Sequence, residues 1–132
     1  MNYRNWPIYL FFTIAIAVIS PARAEPEEIK SSGDLLSACK VIARIGTDSS
    51  VEPTDGRKAV FCMGYMTGIL AGVNYYADVR HDKSVCIPSE ANVGQIVATF
   101  VKWGGDNPQN LHLSAAVGTF SALKQYFPCH GK

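Results

Sequence analysis

Apolar residues recur at three- and four-residue intervals along this chain of 132 residues, a rhythm that indicates amphipathic helices. The first predicted helix runs from about Asp34 to Ile45, after a Ser31–Asp34 run whose side-chain oxygens suit a helix start. A third runs from about Val93 to Trp103, where two glycines are predicted to end it, and a fourth begins near Ser114 and is ended by Pro128. The apolar stripe of the fourth helix contains Leu111, Leu113, Ala116, Val117, Phe120, Leu123 and Phe127.

The second predicted helix, from about Gly56 to Arg80, contains the uncharged and proline-free run Ala59–Ala77. Such a run is either a buried central helix or a membrane span. Thr67, Asn74 and three tyrosines interrupt it, which disfavours a span. We predict a central helix that is buried on most sides, without stable membrane insertion. Because no strand-like alternation of useful length occurs, the predicted fold class is all-α, a bundle of about four helices.

Three glycines of the second helix recur at every fourth position and share one face: Gly64, Gly68 and Gly72. Because they lack side chains, they let another backbone come close. We predict helix packing along this stripe, either within one chain or between two copies.

The start of the chain has the pattern of an export signal. Arg4 gives a basic start, Ile8–Ile19 is an apolar run too short to cross a bilayer comfortably, and Ala22-Arg23-Ala24 places small residues where signal peptidase reads them. We predict cleavage directly after this site, which makes residues 1–24 a signal peptide and residues 25–132 a single exported domain. The alternative is an uncleaved N-terminal anchor.

Acidic and basic residues nearly balance. The chain has 12 basic and 11 acidic residues, and two of the basic ones, Arg4 and Arg23, belong to the predicted signal peptide. The remaining charges form no basic patch, so we predict no nucleic-acid partner.

The predicted exported domain has four cysteines: Cys39, Cys62, Cys86 and Cys129. An even number in a small exported domain indicates two disulfides. Cys39 and Cys62 lie about equally far from a turn centred near Ser50–Val51, and Cys86 and Cys129 lie about equally far from a turn near Asn107–Pro108. In an antiparallel helical hairpin, residues equidistant from the turn lie at the same level. We therefore predict that each of these two pairs forms a disulfide.

The sequence offers little for catalysis or metal binding. The cysteines lack C-x-x-C spacing, and the three histidines, His81, His112 and His130, lie far apart. No H-E-x-x-H, G-x-S-x-G or phosphate-cradling loop occurs. We therefore expect no metal, no cofactor and no enzymatic activity. An aromatic group could line a pocket, but aromatic residues at helical spacing favour a core: Tyr65, Tyr75, Tyr76 and Trp103.

Five short motifs follow one another along the chain: Leu35-Leu36-x-x-Cys39, Phe61–Gly68 (FCMGYMTG), Cys86-Ile87-Pro88, Val93–Val97 (VGQIV) and Phe127-Pro128-Cys129. Their order, together with the four cysteines and the signal peptide, resembles the Rap/Tai family of immunity proteins. That family protects bacteria from amidase effectors of type VI secretion systems. The resemblance covers about Ser32 to Cys129.

The resemblance implies a non-enzymatic periplasmic protein that binds a peptidoglycan amidase and blocks its active site, often as a homodimer. The cysteines and the Gly64–Gly68 element carry over as framework. No motif marks the surface that touches the toxin. Polar connections are the candidates that the chain offers: Thr47–Asp55, Asp78–Val85 and Gly104–His112. The alternative functions are a periplasmic acid-stress chaperone or another exported helical binding protein.

Overall fold

A computed structural model describes residues 28–45, 52–80 and 84–129. The predicted signal peptide and its cleavage site lie outside the described residues. Within them the chain forms α1 (Ser32–Ile45), α2 (Pro53–Arg80), α3 (Val93–Asp106), a short 3-10 helix (Pro108–Asn110) and α4 (Ala115–Tyr126). No strand forms in these ranges beyond one isolated bridge between Ser31 and Ser114. The predicted all-α bundle is confirmed.

The core lies where α1 and α3 face α2 and α4. Phe100 and Trp103 of α3 are fully buried, with ring centroids 6.0 Å apart. The α3 stripe begins at a capping box, in which Asn92 Oδ1 accepts from the backbone N–H of Gln95 at 3.0 Å, and Gln95 Oε1 accepts from the N–H of Asn92 at 2.9 Å. The other core residues include Leu35, Leu36, Cys39, Cys62, Met66, Ile96, Val97, Ala122 and Leu123.

Two disulfides fasten this bundle, and they join the pairs that hairpin symmetry predicts. Cys39 and Cys62 link α1 to α2 within the core, with 5.2 Å between the Cα atoms. Cys86 and Cys129 link the segment before α3 to the segment after α4, with 4.9 Å between the Cα atoms. The backbone N–H of Cys86 also donates to the carbonyl of Phe127 at 2.9 Å. The two ends of the α3–α4 hairpin are therefore held together covalently.

The prediction that α2 is buried on most sides was wrong. Among the side chains described for residues 53–79, only Cys62 and Met66 are buried, because α1 and α3 pack against one side of the helix. The opposite side carries exposed apolar residues: Val60, Phe61, Tyr75, Tyr76 and Val79. None of the helices in the described ranges is long and apolar enough to cross a membrane.

The prediction that α3 ends at its glycine pair was also wrong, since the helix continues through Gly104 and Gly105 to Asp106. Gly104 lies against α1, where an added Cβ would be 2.8 Å from Leu36 Cδ2. The glycine therefore serves the close approach of two helices, and packing outweighs its low helix propensity. Asn107 caps the end of the helix, where its backbone N–H and its side-chain amide both donate to the carbonyl of Trp103 at 2.9 Å, and the following Pro108 has no N–H to continue the helix.

The start of α1 is organised by Asp34, which is exposed. Its Oδ2 accepts from the backbone N–H of Ser31 at 2.9 Å, from the hydroxyl of Ser31 at 2.8 Å and from the N–H of Lys30 at 3.2 Å. These hydrogen bonds, the Ser31 backbone N–H first, lower the pKa of the Asp34 carboxyl.

An acid dependence of stability follows. Because the folded-state pKa of Asp34 is lowered, ionised Asp34 stabilises the fold above about pH 4, and that contribution is lost as the pH falls through the lowered pKa. We expect Asp34→Asn to lower the melting temperature at pH 6 and to leave it nearly unchanged at pH 2. Thermal melting by circular dichroism across this range tests it. The exposed Glu52→Gln variant is the control, and an equal loss for Asp34→Asn at both pH values would contradict the prediction.

Candidate interaction surface

An apolar groove runs between the second half of α2 and the outer side of α4. Its volume is about 810 Å³. One wall comes from α2 and the other from α4, and the segment after α2 forms the floor. The apolar side chains that line it include Ile69, Val73, Tyr76, Val85, Val117 and Phe120.

The floor of the groove is fixed in place. Val85 is only 6% exposed, and it precedes Cys86, which is tied to Cys129 by the disulfide and to Phe127 by a backbone hydrogen bond. The disulfide therefore limits how far the segment can move away from the end of α4. The groove is a preformed feature of the fold.

The α4 wall shows how one helix can carry two apolar faces. Its core face consists mostly of small residues, among them Ala115, Gly118 and Ala122. Its bulkier residues point into the groove, where Val117 is 51% exposed and Phe120 is 40% exposed. The sequence pattern predicted that Val117, Phe120 and Leu123 share one apolar stripe. It did not predict that Val117 and Phe120 are exposed, because an apolar pattern does not distinguish a core from an open groove.

The rim of the groove is basic at one end. Lys124 lies on α4, with its Nζ 6.0 Å from the ring centroid of Phe120. Ser84 and Ser121 complete this polar edge. A ligand surface with an apolar centre and an acidic edge would match it.

The glycine stripe of α2 faces away from the core. A Cβ added at Gly64, Gly68 or Gly72 would meet nothing within 4 Å in the described part of the chain, and all three positions are exposed. Within the described residues, nothing therefore packs closely against the stripe, and packing within one chain stays a prediction. Gly68 and Gly72 instead line the edge of the groove. Packing between two copies stays a prediction.

The three candidate contact loops have different outcomes. Residues 47–51 and 81–83 lie outside the described ranges, so two of the loops are only partly seen. In the third, residues 104–106 belong to α3, and the rest forms an anchored surface segment. Its carbonyl at Leu111 accepts from the N–H of Gly33 at 2.9 Å, and the carbonyl of Leu113, the residue directly after it, accepts from the N–H of Ser32 at 2.7 Å. The segment is joined to the start of α1 by backbone hydrogen bonds.

An exposed polar cluster joins the ends of α3 and α4. Lys102 Nζ lies 2.7 Å from Asp106 Oδ2, and the hydroxyl of Tyr126 donates to the same oxygen at 3.3 Å. The hydrogen bond between the two charged groups raises the pKa of Lys102 and lowers the pKa of Asp106. Both groups keep their usual charge at neutral pH, so the cluster is a surface ion pair.

The aromatic group of the sequence is divided between core and surface. Trp103 is buried beside Phe100, whereas Tyr75 is exposed and Tyr76 lines the groove. In the described ranges, no three His, Cys, Asp or Glu residues come close enough to hold a metal ion. What the surface offers is an apolar groove and an apolar helix face, both suited to binding another macromolecule.

Comparison with protein families identifies the chain. The family model of Rap1a immunity proteins matches residues 31–129, which is the same extent of chain that carries the motifs and all four cysteines. No curated protein and no solved structure matches it. The chain belongs to the Rap1a immunity protein family.

Proposed function

We propose that this protein is a periplasmic immunity protein that binds and inhibits a peptidoglycan amidase effector of a type VI secretion system. Family membership supports an immunity role, and two disulfides fit an exported protein. In this proposal residues 1–24 direct export and residues 25–132 form a single binding domain without enzymatic activity. The family resemblance also favours a homodimer as the binding form.

The observation that carries the proposal is the preformed apolar groove between α2 and α4. An inhibitor that is already ordered before it binds loses little conformational freedom on association. The disulfide at Cys86 fixes the floor, and the exposed Val117 and Phe120 offer anchors that a partner can desolvate. We propose that the amidase docks here.

The function is tested with a panel of periplasm-directed type VI amidases, including any encoded beside this gene. We expect co-expression of this protein to restore growth against one of them. The purified protein should inhibit the peptidoglycan cleavage of that amidase at a one-to-one ratio. Failure to inhibit any panel member would contradict the proposal. Protection of a denatured client at acidic pH, without amidase inhibition, would indicate the chaperone alternative.

A groove variant tests the docking site. Val117→Asp places a carboxylate in the apolar wall, and because Val117 is half exposed, the fold should tolerate it. Burying this unpaired charge under a partner is expected to weaken inhibition at least tenfold, about 1.4 kcal/mol or more. Titrating amidase activity with the variant measures the change.

The control is Ile45→Asp, which puts the same charge at a similarly exposed apolar position at the end of α1, outside the groove. It should inhibit like the parent protein. Gln109→Asp tests the alternative that the amidase instead contacts the anchored segment after α3. Normal inhibition by Val117→Asp together with loss in Gln109→Asp would move the contact to that segment.

A further inference from the structure

The groove between α2 and α4 has the size and chemistry of a site for a small amphiphile. Its volume of about 810 Å³ falls within the range of about 300–1,000 Å³ that small-molecule sites occupy. Its floor at Val85 is buried and is linked to the end of α4 through the Cys86–Cys129 disulfide. An apolar site that exists before the ligand arrives, with a few polar groups at one place, is typical of small-molecule binding.

We propose that the groove binds the anion of a medium-chain fatty acid, with the alkyl chain between the two helices and the carboxylate at Lys124. The apolar walls remove the chain from water, and the ammonium of Lys124 pairs with the carboxylate. This ligand lies outside the proposed immunity function. The inference rests on the groove alone.

The charge of the groove lies at one end. Among the described residues that line it, Lys124 is charged and all the others are uncharged. The Nζ of Lys124 lies 6.0 Å from the ring centroid of Phe120, which is itself a lining residue. The ammonium therefore stays at the edge of the apolar surface. A ligand with one negative charge at the end of an apolar body matches this distribution.

The charge of Lys124 is available to a ligand. No Asp or Glu follows Asp106 in the sequence, so α4 supplies no carboxylate of its own. The ion pairs found in the described ranges use Lys30, Arg44 and Lys102 as their cations. A fatty acid carboxylate would therefore meet an ammonium that no carboxylate in these ranges neutralises.

The walls of the groove suit an alkyl chain because an alkyl chain needs no hydrogen bonds. The backbone groups of α2 and α4 are paired within their helices. Apart from Lys124, the polar side chains among the lining residues are the hydroxyl-bearing Tyr76, Ser84 and Ser121. An extended peptide would bring one N–H and one C=O per residue into this surface, and burying these groups without partners is costly.

The length of the walls determines the length of the chain. The groove is lined from Gly68 to Ala77 on α2 and from Ala116 to Lys124 on α4. At about 1.5 Å per residue, these walls are about 12–14 Å long. Carbon–carbon bonds of about 1.5 Å advance an extended chain by about 1.3 Å per carbon. A chain of about ten carbon atoms therefore fills the groove, which is the length of decanoate.

A series of chain lengths tests the fit. Isothermal titration calorimetry of the purified protein with octanoate, decanoate, laurate and palmitate measures the dissociation constants. We expect decanoate to bind roughly fivefold more tightly than octanoate, because two more methylene groups leave water. Palmitate should gain little over laurate, since its additional carbons extend beyond the groove. A steady gain up to palmitate, or no binding of decanoate at about 1 mM, would overturn the site.

A neutral ligand and three variants test the position. Lys124→Gln should weaken decanoate at least fivefold and leave 1-decanol unchanged, because only the carboxylate uses the ammonium. Lys40→Gln, at an exposed position of α1 outside the groove, is the matched control and should change neither ligand. Val117→Asp should weaken both, since it places a carboxylate in the apolar wall.

Unchanged affinity for decanoate in Lys124→Gln or in Val117→Asp would refute this site. Because no amidase is present in these titrations, their outcome is independent of whether the protein inhibits one. A protein that binds no fatty acid can still be an immunity protein, and one that inhibits no amidase can still bind decanoate.

Discussion

Replacing Cys39 and Cys62 together by alanine is expected to lower the free energy of unfolding by about 5 kcal/mol. The two residues are 23 positions apart, so opening their loop adds chain entropy to the unfolded state worth about 3.4 kcal/mol. Both side chains are fully buried, and removing their sulfur atoms leaves a cavity that adds a further ~1–2 kcal/mol. This is a large fraction of the 5–15 kcal/mol typical of a domain.

Cys86 and Cys129 provide the matched comparison. Their loop of 43 positions predicts about 4 kcal/mol from chain entropy, but Cys86 is exposed, so little cavity cost is added. We therefore expect removal of the Cys39–Cys62 disulfide to lower the free energy of unfolding at least as much as removal of the Cys86–Cys129 disulfide, although its loop is shorter. Guanidinium unfolding of both double variants, followed by circular dichroism, measures the two values. If removing Cys39 and Cys62 lowered the free energy of unfolding by less than half as much as removing Cys86 and Cys129, this explanation would be contradicted.

Loss of the surface bridge should also affect binding. Without it, the Val85 floor of the groove keeps its core packing and the backbone hydrogen bond from Cys86 to Phe127 but loses its covalent link to the segment after α4. The groove would then lose part of its preorganisation. Both double variants should lose stability. Only the variant without the Cys86–Cys129 disulfide should also lose the fixed geometry of the groove, so comparing the two variants separates the two effects.

The helices and the cysteine pairs were predictable because their signals are local or symmetric. The capping oxygens of Asn92 and the stop at Pro128 act on neighbouring residues only. The pairing of Cys39 with Cys62 needs no knowledge of packing, since it follows from equal distance to a turn. These features depend on the spacing of residues along the chain, which can be read from the sequence.

The exposure of α2 was not predictable in the same way. Apolar residues surround most of this helix, so the pattern shows no preferred face. Such a helix is buried if enough partners surround it, and in the described structure α1 and α3 cover one side. The number of available partners is a property of the whole bundle.

The groove could not be predicted from the sequence for a related reason. Val117 and Leu123 belong to the same apolar pattern, but Leu123 enters the core and Val117 faces the groove. The small residues at Gly118 and Ala122 let α4 approach the core closely. Size, more than polarity, separates the two faces of this helix, and hydrophobic periodicity does not record size.

Because α4 lies so close to the core at Gly118, the substitution Gly118→Ala is expected to destabilise the fold strongly. A Cβ at this position would overlap Ser32 Oγ and lie 2.8 Å from Ser32 Cβ and 3.2 Å from Trp103 Cζ3. Ser32 is fully buried, and its hydroxyl donates to the carbonyl of Ser114 at 3.0 Å. Neither neighbour can move freely, so α1 and α4 must separate. We expect a loss of about 3 kcal/mol in the free energy of unfolding, measured by guanidinium unfolding.

Two variants make this result specific. Gly105→Ala adds the same methyl group to a helical glycine whose Cβ would meet nothing within 4 Å in the described residues, and it should stabilise the protein by about 0.5–1 kcal/mol. Ser32→Gly removes the overlapping atoms, so adding it to Gly118→Ala should restore part of the stability that the alanine loses. If Gly118→Ala were as stable as Gly105→Ala, the contact between α1 and α4 would be looser than the structure indicates.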